Sequence, residues 1–209
     1  MEIRQPAAGE ELNRSDTVAL PRQAASVVLL RGGSQWLELL LVRRTPQARF
    51  MGGFWVFPGG AVDAHEGEGD EAHRLAAVRE LAEEAAVDGI EPAELVKFSR
   101  WITPAVVKIR FDTHFFLAAA PEGATPVVDG SEIVDLAWHT PQSALDAYGR
   151  DELPLVFPTI KHLEQFAAFE TADALINHAA QQTVEPIEPR VLFEGELARV
   201  LLPGEPGYD

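Results

Sequence analysis

The chain of 209 residues carries 33 Asp and Glu against 17 Lys and Arg, and its net charge of −16 repels nucleic-acid phosphate, so we expect no nucleic-acid partner. A hydrophobic content of 46% suits one packed domain and excludes disorder, while the absence of cysteine excludes disulfides and thiolate metal sites. No apolar run approaches the roughly 20 residues of a membrane span, and neither end carries a secretory or peroxisomal signal, so we expect a cytoplasmic protein without a membrane partner.

The first part of the chain predicts a polar arm followed by a hairpin. Residues 1–22 are polar and mixed, and we expect them to form a loose arm before a domain that occupies residues 23–209. The apolar run Ala25–Leu30 predicts a buried strand, because it is short and rich in branched residues. Arg31–Ser34 has turn composition, and Leu37–Val42 predicts a second strand that completes the hairpin.

Two arginines lie between this hairpin and a glycine pair. Arg44 and Arg49 precede the sequence Phe57-Pro58-Gly59-Gly60. Planar guanidinium groups can bind phosphates through paired hydrogen bonds. The alternative is that the two arginines are surface charges balancing acidic neighbours.

A carboxylate-rich helix is predicted over Glu71–Ala86, which contains good helix formers and neither Pro nor Gly. Glu80, Glu83 and Glu84 share one face of this helix at 3.6 residues per turn. We expect the opposite, buried stripe to consist of Leu75, Val78, Ala82 and Ala85. Three crowded carboxylates repel one another unless a cation joins them, and their oxygen ligands favour Mg²⁺ or Mn²⁺.

The order of these residues resembles the Nudix box, G-x5-E-x7-R-E-U-x-E-E-x-G-U with U apolar. Glu71-x7-Arg79-Glu80-Leu81-x-Glu83-Glu84-x-Ala86-Val87 matches it except at Ala86, where the family has glycine. Because Gly89 lies three residues further on, we expect the helix to extend about one turn beyond its usual end. We place the five extra residues of this chain between Gly60 and Glu71.

The resemblance implies an α/β fold, the Nudix α/β/α sandwich with a mixed sheet, and a site that binds Mg²⁺ or Mn²⁺. It implies metal ligation by Glu80, Glu83, Glu84 and the Gly60 carbonyl. Arg79 is expected to orient these carboxylates by ion pairing. The acidic loop Ala61–Asp70 precedes the helix, and its charged residues either touch the cation or are simply solvated. These loop residues are Asp63, His65, Glu66 and Asp70.

Two further strands are predicted over Val96–Thr103 and Arg110–Leu117. The earlier sequence L-L-V-x-R-T-x3-R-x3-G-x3-F-P-G-G resembles the signature of coenzyme A diphosphatases, with Val42 in place of Thr, and this resemblance implies that Arg44 and Arg49 bind substrate phosphates. The sequence of the two strands, W-I-T-P-x5-R-F-D-T-x-F-F-L, resembles the acyl-coenzyme A diphosphatase branch of Nudix proteins, the peroxisomal animal enzymes and their bacterial relatives. We expect His114 to be a hydrogen-bonded structural histidine rather than a catalytic one. Lys108 and Arg110 either face phosphate or are charges at a strand edge.

The last third of the chain predicts one strand, several helices and a closing pair of strands. Ser131–Trp138 alternates as a strand does. Glu132 matches a place from which the family often reaches the metal site, and its alternative is an exposed loop carboxylate. Thr140 and Thr171 are predicted N-caps, and the helices from residue 140 onward should pack at one side and shape the substrate pocket. The predicted helices are 141–148, 158–169 and 171–181, and the predicted strands are 190–193 and 198–204.

The function implied by the resemblance is hydrolysis of the diphosphate in coenzyme A or acyl-coenzyme A, giving 3′,5′-ADP and (acyl-)4′-phosphopantetheine. Glu83 or Glu132 would accept the proton of the attacking water. The partner would be a small nucleotide, and the sequence leaves both a monomer and a homodimer open. Two alternatives stand: a Nudix hydrolase of NADH or ADP-ribose, and a nucleotide-binding regulator that has lost turnover.

Overall fold

A computed structural model describes residues 2–3, 12–13, 17–194 and 197–208. The four α-helices in these ranges are α1 (Gly69–Ala85), α2 (Pro141–Gly149), α3 (Phe157–Phe166) and α4 (Ala172–Ala179), with 3-10 turns at Ala64–Glu66 and Pro92–Glu94. The strands are β1 (Glu2–Ile3), β2 (Arg22–Arg31), β3 (Glu38–Arg44), β4 (Trp55–Val56), β5 (Gly59–Ala61), β6 (Val96–Ile102), β7 (Phe111–Ala119), β8 (Ile133–His139), β9 (Pro186–Ile187), β10 (Arg190–Glu194) and β11 (Leu197–Leu201).

The central sheet has eight strands and is mixed. Its main order is β4-β3-β2-β7-β6-β9, while β8 pairs with β3 and β5 pairs with β2. Strand β2 runs parallel to β7 and antiparallel to β3 and β5. The first half of β2 pairs with β5, where Ala25 lies opposite Gly60, and its end pairs with β3. The glycine strand therefore lies in the middle of the sheet, beside the helix that follows it.

The two faces of the sheet carry separate apolar cores because successive residues of a strand point in opposite directions. Val27 and Leu29 pack with Leu81 of α1, whereas Val28 and Leu30 pack with Leu163 of α3 and neighbouring residues of α2 and α4. The expected α/β/α sandwich with a mixed sheet and additional C-terminal helices is thus confirmed.

The end of α1 differs from the expectation. The helix stops at Ala85, and Ala86 adopts a left-handed conformation with φ 52° and ψ 38°, its N–H donating to the Ala82 carbonyl. The predicted extension past Ala86 was therefore wrong. The reversal at Ala86 turns the chain so that Val87 is buried against the sheet, and this packing opposes the cost of a left-handed alanine.

The predicted buried stripe of α1 was also largely wrong, since Leu75 is exposed and only Ala85 of the four is fully buried. Small residues let the helix lie close to the sheet. The face of α1 that packs on the sheet is therefore rotated from the predicted one, and Glu84 is buried as a result. The apolar residues buried on α1 are Ala72, Ala76, Ala77, Leu81 and Ala85.

Several local predictions are confirmed. Thr140 accepts a hydrogen bond from the Ser143 N–H, and Thr171 accepts one from the Ala174 N–H, so both threonines cap helices. The closing strands β10 and β11 pair antiparallel. Most of the predicted loose arm over residues 1–22 lies outside the described residues, although β1 pairs with β11. Within the described ranges, no helix is long and apolar enough to cross a membrane.

Candidate active site

The glycine strand β5 lies directly against two carboxylates of α1. The Gly59 N–H donates to Glu84 Oε2 at 2.9 Å. A Cβ atom at Gly60 would overlap the Glu80 carboxylate, so a larger residue there would push this side chain away. The structure thus brings Gly60, Glu80 and Glu84 together, as the sequence predicted.

Both of these carboxylates lie in surroundings that disfavour their charged form. Burial raises the pKa of Glu84 to about 8, and this effect outweighs the Gly59 hydrogen bond and the attraction of Arg44. Burial also raises the pKa of Glu80, against the opposing effect of Arg79, and repulsion from Glu83 adds to the increase. Burial thus favours the protonated forms of both carboxylates unless a further positive charge joins them.

Arg79 joins the glutamates of α1 to the loop that precedes the helix. Its Nε donates to Glu66 Oε1 at 2.9 Å, and its Nη2 donates to the Ala61 carbonyl at 3.0 Å. Nη1 donates to Glu80 Oε1 at 2.7 Å and to Glu83 Oε2 at 3.1 Å. The hydrogen bond to Glu66 is the main cause that raises the pKa of Arg79. These contacts agree with the expected orienting role of Arg79.

The partner of Arg79 corrects our alignment to the Nudix box. Glu66, not Glu71, pairs with the arginine, and its side chain is only 5% exposed. Glu71 is exposed in the first turn of α1, eight residues or about 12 Å along the helix from Arg79. The spacing Gly60-x5-Glu66 keeps the motif intact from its glycine, so the extra residues follow Glu66. Applying the G-x5-E spacing forward from Gly60, instead of the E-x7-R spacing backward from Arg79, would have identified Glu66 as the glutamate of the motif.

Arg44 and Glu132 complete the charged end of the site. The Arg44 guanidinium lies 3.5 Å from Glu84 Oε1 and 3.8 Å from Glu132 Oε2. Backbone N–H groups of residues 131–133 donate to Asp129, which fixes the loop that presents Glu132. Arg49, by contrast, is exposed and does not line the cavity described below. Of the two predicted substrate arginines, the structure brings only Arg44 to the carboxylates.

Other candidate residues lie away from this site. Arg110 is buried and donates to the Thr103 and Ala19 carbonyls and to Glu188, so it ties segments together rather than facing the cavity. His114 is buried and stacked on His73 with ring centroids 3.7 Å apart. Neither ring nitrogen of His114 has a hydrogen-bond partner among the described residues, contrary to the expected hydrogen-bonded histidine.

A cavity of about 540 Å³ extends from the carboxylates along the sheet face that carries α3. Glu80, Glu83 and Glu84 line one end of it, and Ser26 and Phe115 line its floor. No residue at the opposite, apolar end of the cavity was predicted from the sequence. The C-terminal helices were expected to shape the pocket, and α3 lines this end. We define this apolar end by Trp101, Val107, Phe157, Val191 and Val200.

The donor set at the charged end has the chemistry of a hard divalent cation site. Carboxylate oxygens and a backbone carbonyl are the ligands that Mg²⁺ and Mn²⁺ prefer, and the missing Cβ of Gly60 leaves the Glu80 carboxylate in place. In the ranges described, no three His, Cys, Asp or Glu side chains already form a metal cage. Arg79 holds Glu80 and Glu83 by hydrogen bonds and Arg44 faces Glu84, so cation binding requires these contacts to loosen.

The fold and this glycine–glutamate arrangement define a Nudix domain. The family model described as NUDIX domain matches residues 20–159, more than half of the chain. The chain belongs to the Nudix family, whose hydrolases act on pyrophosphate bonds and generally need divalent metals such as Mg²⁺ or Mn²⁺.

Individual relatives share this assignment at modest identity. The chain is 29% identical over 171 residues to putative nudix hydrolase 7 of Caenorhabditis elegans, and this match covers 64% of the chain and 57% of the worm protein, little more than half of its length. It is 23% identical over 300 residues to the acyl-coenzyme A diphosphatase NUDT19 of Homo sapiens, covering 90% and 80%. A crystal structure of a NUDIX hydrolase from Alicyclobacillus acidocaldarius superimposes with a TM-score of 0.68 at 26% identity, covering 77% of this chain and 97% of that one.

Proposed function

We propose that this protein is a Nudix hydrolase that uses Mg²⁺ or Mn²⁺ to cleave the diphosphate of coenzyme A or acyl-coenzyme A, giving 3′,5′-ADP and (acyl-)4′-phosphopantetheine. The observation that carries the proposal is that the buried Glu84 and the partly buried Glu80 lie against Gly59 and Gly60, at the charged end of a cavity whose other end is apolar. The resemblance to the acyl-coenzyme A diphosphatase of Homo sapiens supports the substrate class.

The cation is proposed to bind Glu80, Glu83, Glu84 and the Gly60 carbonyl. When bound, it would neutralise diphosphate oxygens and lower the pKa of the attacking water. The raised pKa values of Glu80 and Glu84 support this assignment, because positive charge at the site would favour their ionised forms. Binding of the cation should therefore release protons from the protein.

Two exposed carboxylates are candidates for the general base. The Glu83 side chain is 60% exposed and lines the cavity, and Glu132 lines the same end. Either can accept a proton from water directed at the diphosphate. Arg79 does not itself line the cavity and acts by positioning Glu80 and Glu83. We assign Arg44 to a substrate phosphate, because its guanidinium lies at the cavity wall and suits a phosphate, and we propose no substrate contact for Arg49.

The shape and charge of the cavity support a substrate with one charged and one uncharged part. Its volume falls within the roughly 300–1,000 Å³ usual for small-molecule sites. A diphosphate fits the carboxylate end once a cation is bound, and the acyl end of an acyl-pantetheine chain fits the apolar end. The net charge of −16 supports a small nucleotide rather than a nucleic acid as the partner. The proposal includes a cytoplasmic location, to be tested by cell fractionation, and gel filtration would distinguish the monomer from a homodimer.

The test is a substrate screen in Mg²⁺ and in Mn²⁺ with coenzyme A, acyl-coenzyme A, NADH and ADP-ribose, with products identified by mass. We expect 3′,5′-ADP and phosphopantetheine products, no turnover in EDTA, and a loss of at least about 100-fold in Glu84→Gln. Preferred cleavage of NADH or ADP-ribose would replace the substrate assignment and leave the hydrolase class. Nucleotide binding without any product would support the regulator instead.

A further inference from the structure

The apolar end of the cavity is completed by a part of the chain that lies beyond the family match. The match ends at residue 159, whereas β10 and β11 contribute Val191 and Val200 to the cavity wall. These two valines are direct partners in the antiparallel β10–β11 register. Directly opposed residues of an antiparallel pair project from the same face, so the two side chains form one apolar surface.

The next residue on β10, Leu192, shows that only one face of this strand points into the cavity. Leu192 does not line the cavity and is 39% exposed, as expected from the alternation of side chains along a strand. Trp101 of β6 and Phe157 of α3 also line the cavity, and their rings meet edge to face with centroids 6.0 Å apart. The valine pair and these rings thus form apolar walls of one space.

Charge determines which part of a substrate can enter this space. The charged residues that line the cavity lie at the carboxylate end, apart from Arg22. A diphosphate must therefore remain near Glu80, Glu83 and Glu84, where a cation can join it. A further phosphate placed between the valine pair and the two rings would lose hydration, and among the charged lining residues only Arg22 lies outside the carboxylate end. An acyl chain, in contrast, gains roughly fourfold in affinity for each methylene removed from water.

We propose that the Val191–Val200 pair is a specificity-determining wall that contacts the acyl chain of the substrate, so that the C-terminal hairpin sets the chain-length preference of the enzyme. This inference rests on the proposed function. The Nudix elements supply hydrolysis of the diphosphate, and β10 and β11 select the uncharged group attached to it. The wild-type protein is then expected to prefer medium or long acyl-coenzyme A over free coenzyme A.

The test compares kcat/KM for coenzyme A, acetyl-coenzyme A, octanoyl-coenzyme A and palmitoyl-coenzyme A. Val200→Trp fills the apolar end and should lower kcat/KM for octanoyl- and palmitoyl-coenzyme A at least about tenfold, while the value for coenzyme A changes less than about twofold. Leu192→Trp places the same side chain on the outer face of the hairpin and should leave the profile unchanged. Val200→Ala widens the space and should move the preference toward longer chains, which keeps the test decisive if the tryptophan variant does not fold.

Three results would overturn the inference. One is a wild-type rate that does not depend on chain length. Another is a Val200→Trp variant that folds normally and loses activity on all four substrates equally. The third is a Leu192→Trp variant that changes the profile as much as Val200→Trp does. If the wild-type protein cleaves none of the four substrates but cleaves another nucleotide, the proposed substrate fails first, and the inference falls with it.

Discussion

The pairing of Glu66 with Arg79 predicts that one glutamate of the loop matters and another does not. Glu66→Gln keeps the size of the side chain and removes its charge, whereas Glu71→Gln makes the same change on the exposed first turn of α1. Because Glu66 pairs with Arg79 and Glu71 does not, we expect only Glu66→Gln of these two variants to impair hydrolysis. The two variants form a matched pair five residues apart.

The expected magnitude follows from the contacts that are lost. The Glu66 carboxylate accepts from Arg79 at 2.9 and 3.3 Å and from the Asp63 N–H at 2.6 Å, and it is almost completely buried. Charge-assisted hydrogen bonds contribute about 1.5–3 kcal/mol, which corresponds to roughly 10- to 150-fold in kcat/KM. Arg79 released from Glu66 would pair more tightly with Glu80 and Glu83 and compete with the cation. The metal concentration for half-maximal activity should therefore rise.

Initial rates measured over a series of Mg²⁺ and Mn²⁺ concentrations test this prediction. Glu66→Gln should show both the lower kcat/KM and the higher metal requirement, while Glu71→Gln should stay within about twofold of wild type. Urea denaturation of both variants controls for loss of folding. If Glu71→Gln were the impaired variant and Glu66→Gln behaved as wild type, the pairing and our placement of the inserted residues would both be refuted.

Three further predictions address stability and the glycine strand. Burial lowers the pKa of His162 to about 3, below its unfolded value, so only the unfolded chain gains a proton as the pH falls from about 6.5 toward 3. His162 alone should then lower the free energy of unfolding by about 1.4 kcal/mol per pH unit, in addition to the effect of His114, whose pKa burial lowers to about 4. Urea denaturation at several pH values should therefore show a shallower decline in His162→Leu but not in His65→Leu. Ala86→Gly should raise the free energy of unfolding by about 1 kcal/mol by relieving the left-handed alanine, whereas Ala82→Gly inside α1 should lower it by a similar amount. Gly60→Ala should displace the Glu80 carboxylate and lower activity at least about tenfold in rate assays, while Gly149→Ala, which has no neighbour within 4 Å, should have no effect.

The sequence was sufficient wherever structure depends on a few neighbouring residues. The strand Arg22–Arg31, the caps at Thr140 and Thr171, and the helix that carries Glu80, Glu83 and Glu84 follow from local composition and spacing. The approach of Gly60 to these glutamates was implied by the resemblance to the Nudix box, and the structure places the Glu80 carboxylate beside Gly60. Local periodicity and turn chemistry are encoded within the segment itself, so they can be predicted before packing is known.

Tertiary structure decided the features that depend on distant contacts. Counting forward from Gly60 and backward from Arg79 gives two different positions for the inserted residues, and the contact between Arg79 and Glu66 decides between them. The left-handed conformation of Ala86 accompanies the burial of Val87, and a propensity scale contains no information about that contact. Val191 and Val200 reach the cavity only because the C-terminal hairpin folds against a site more than a hundred residues earlier in the chain. Burial, charge balance and cavity shape arise from the sum of such long-range contacts, and no local pattern specifies them.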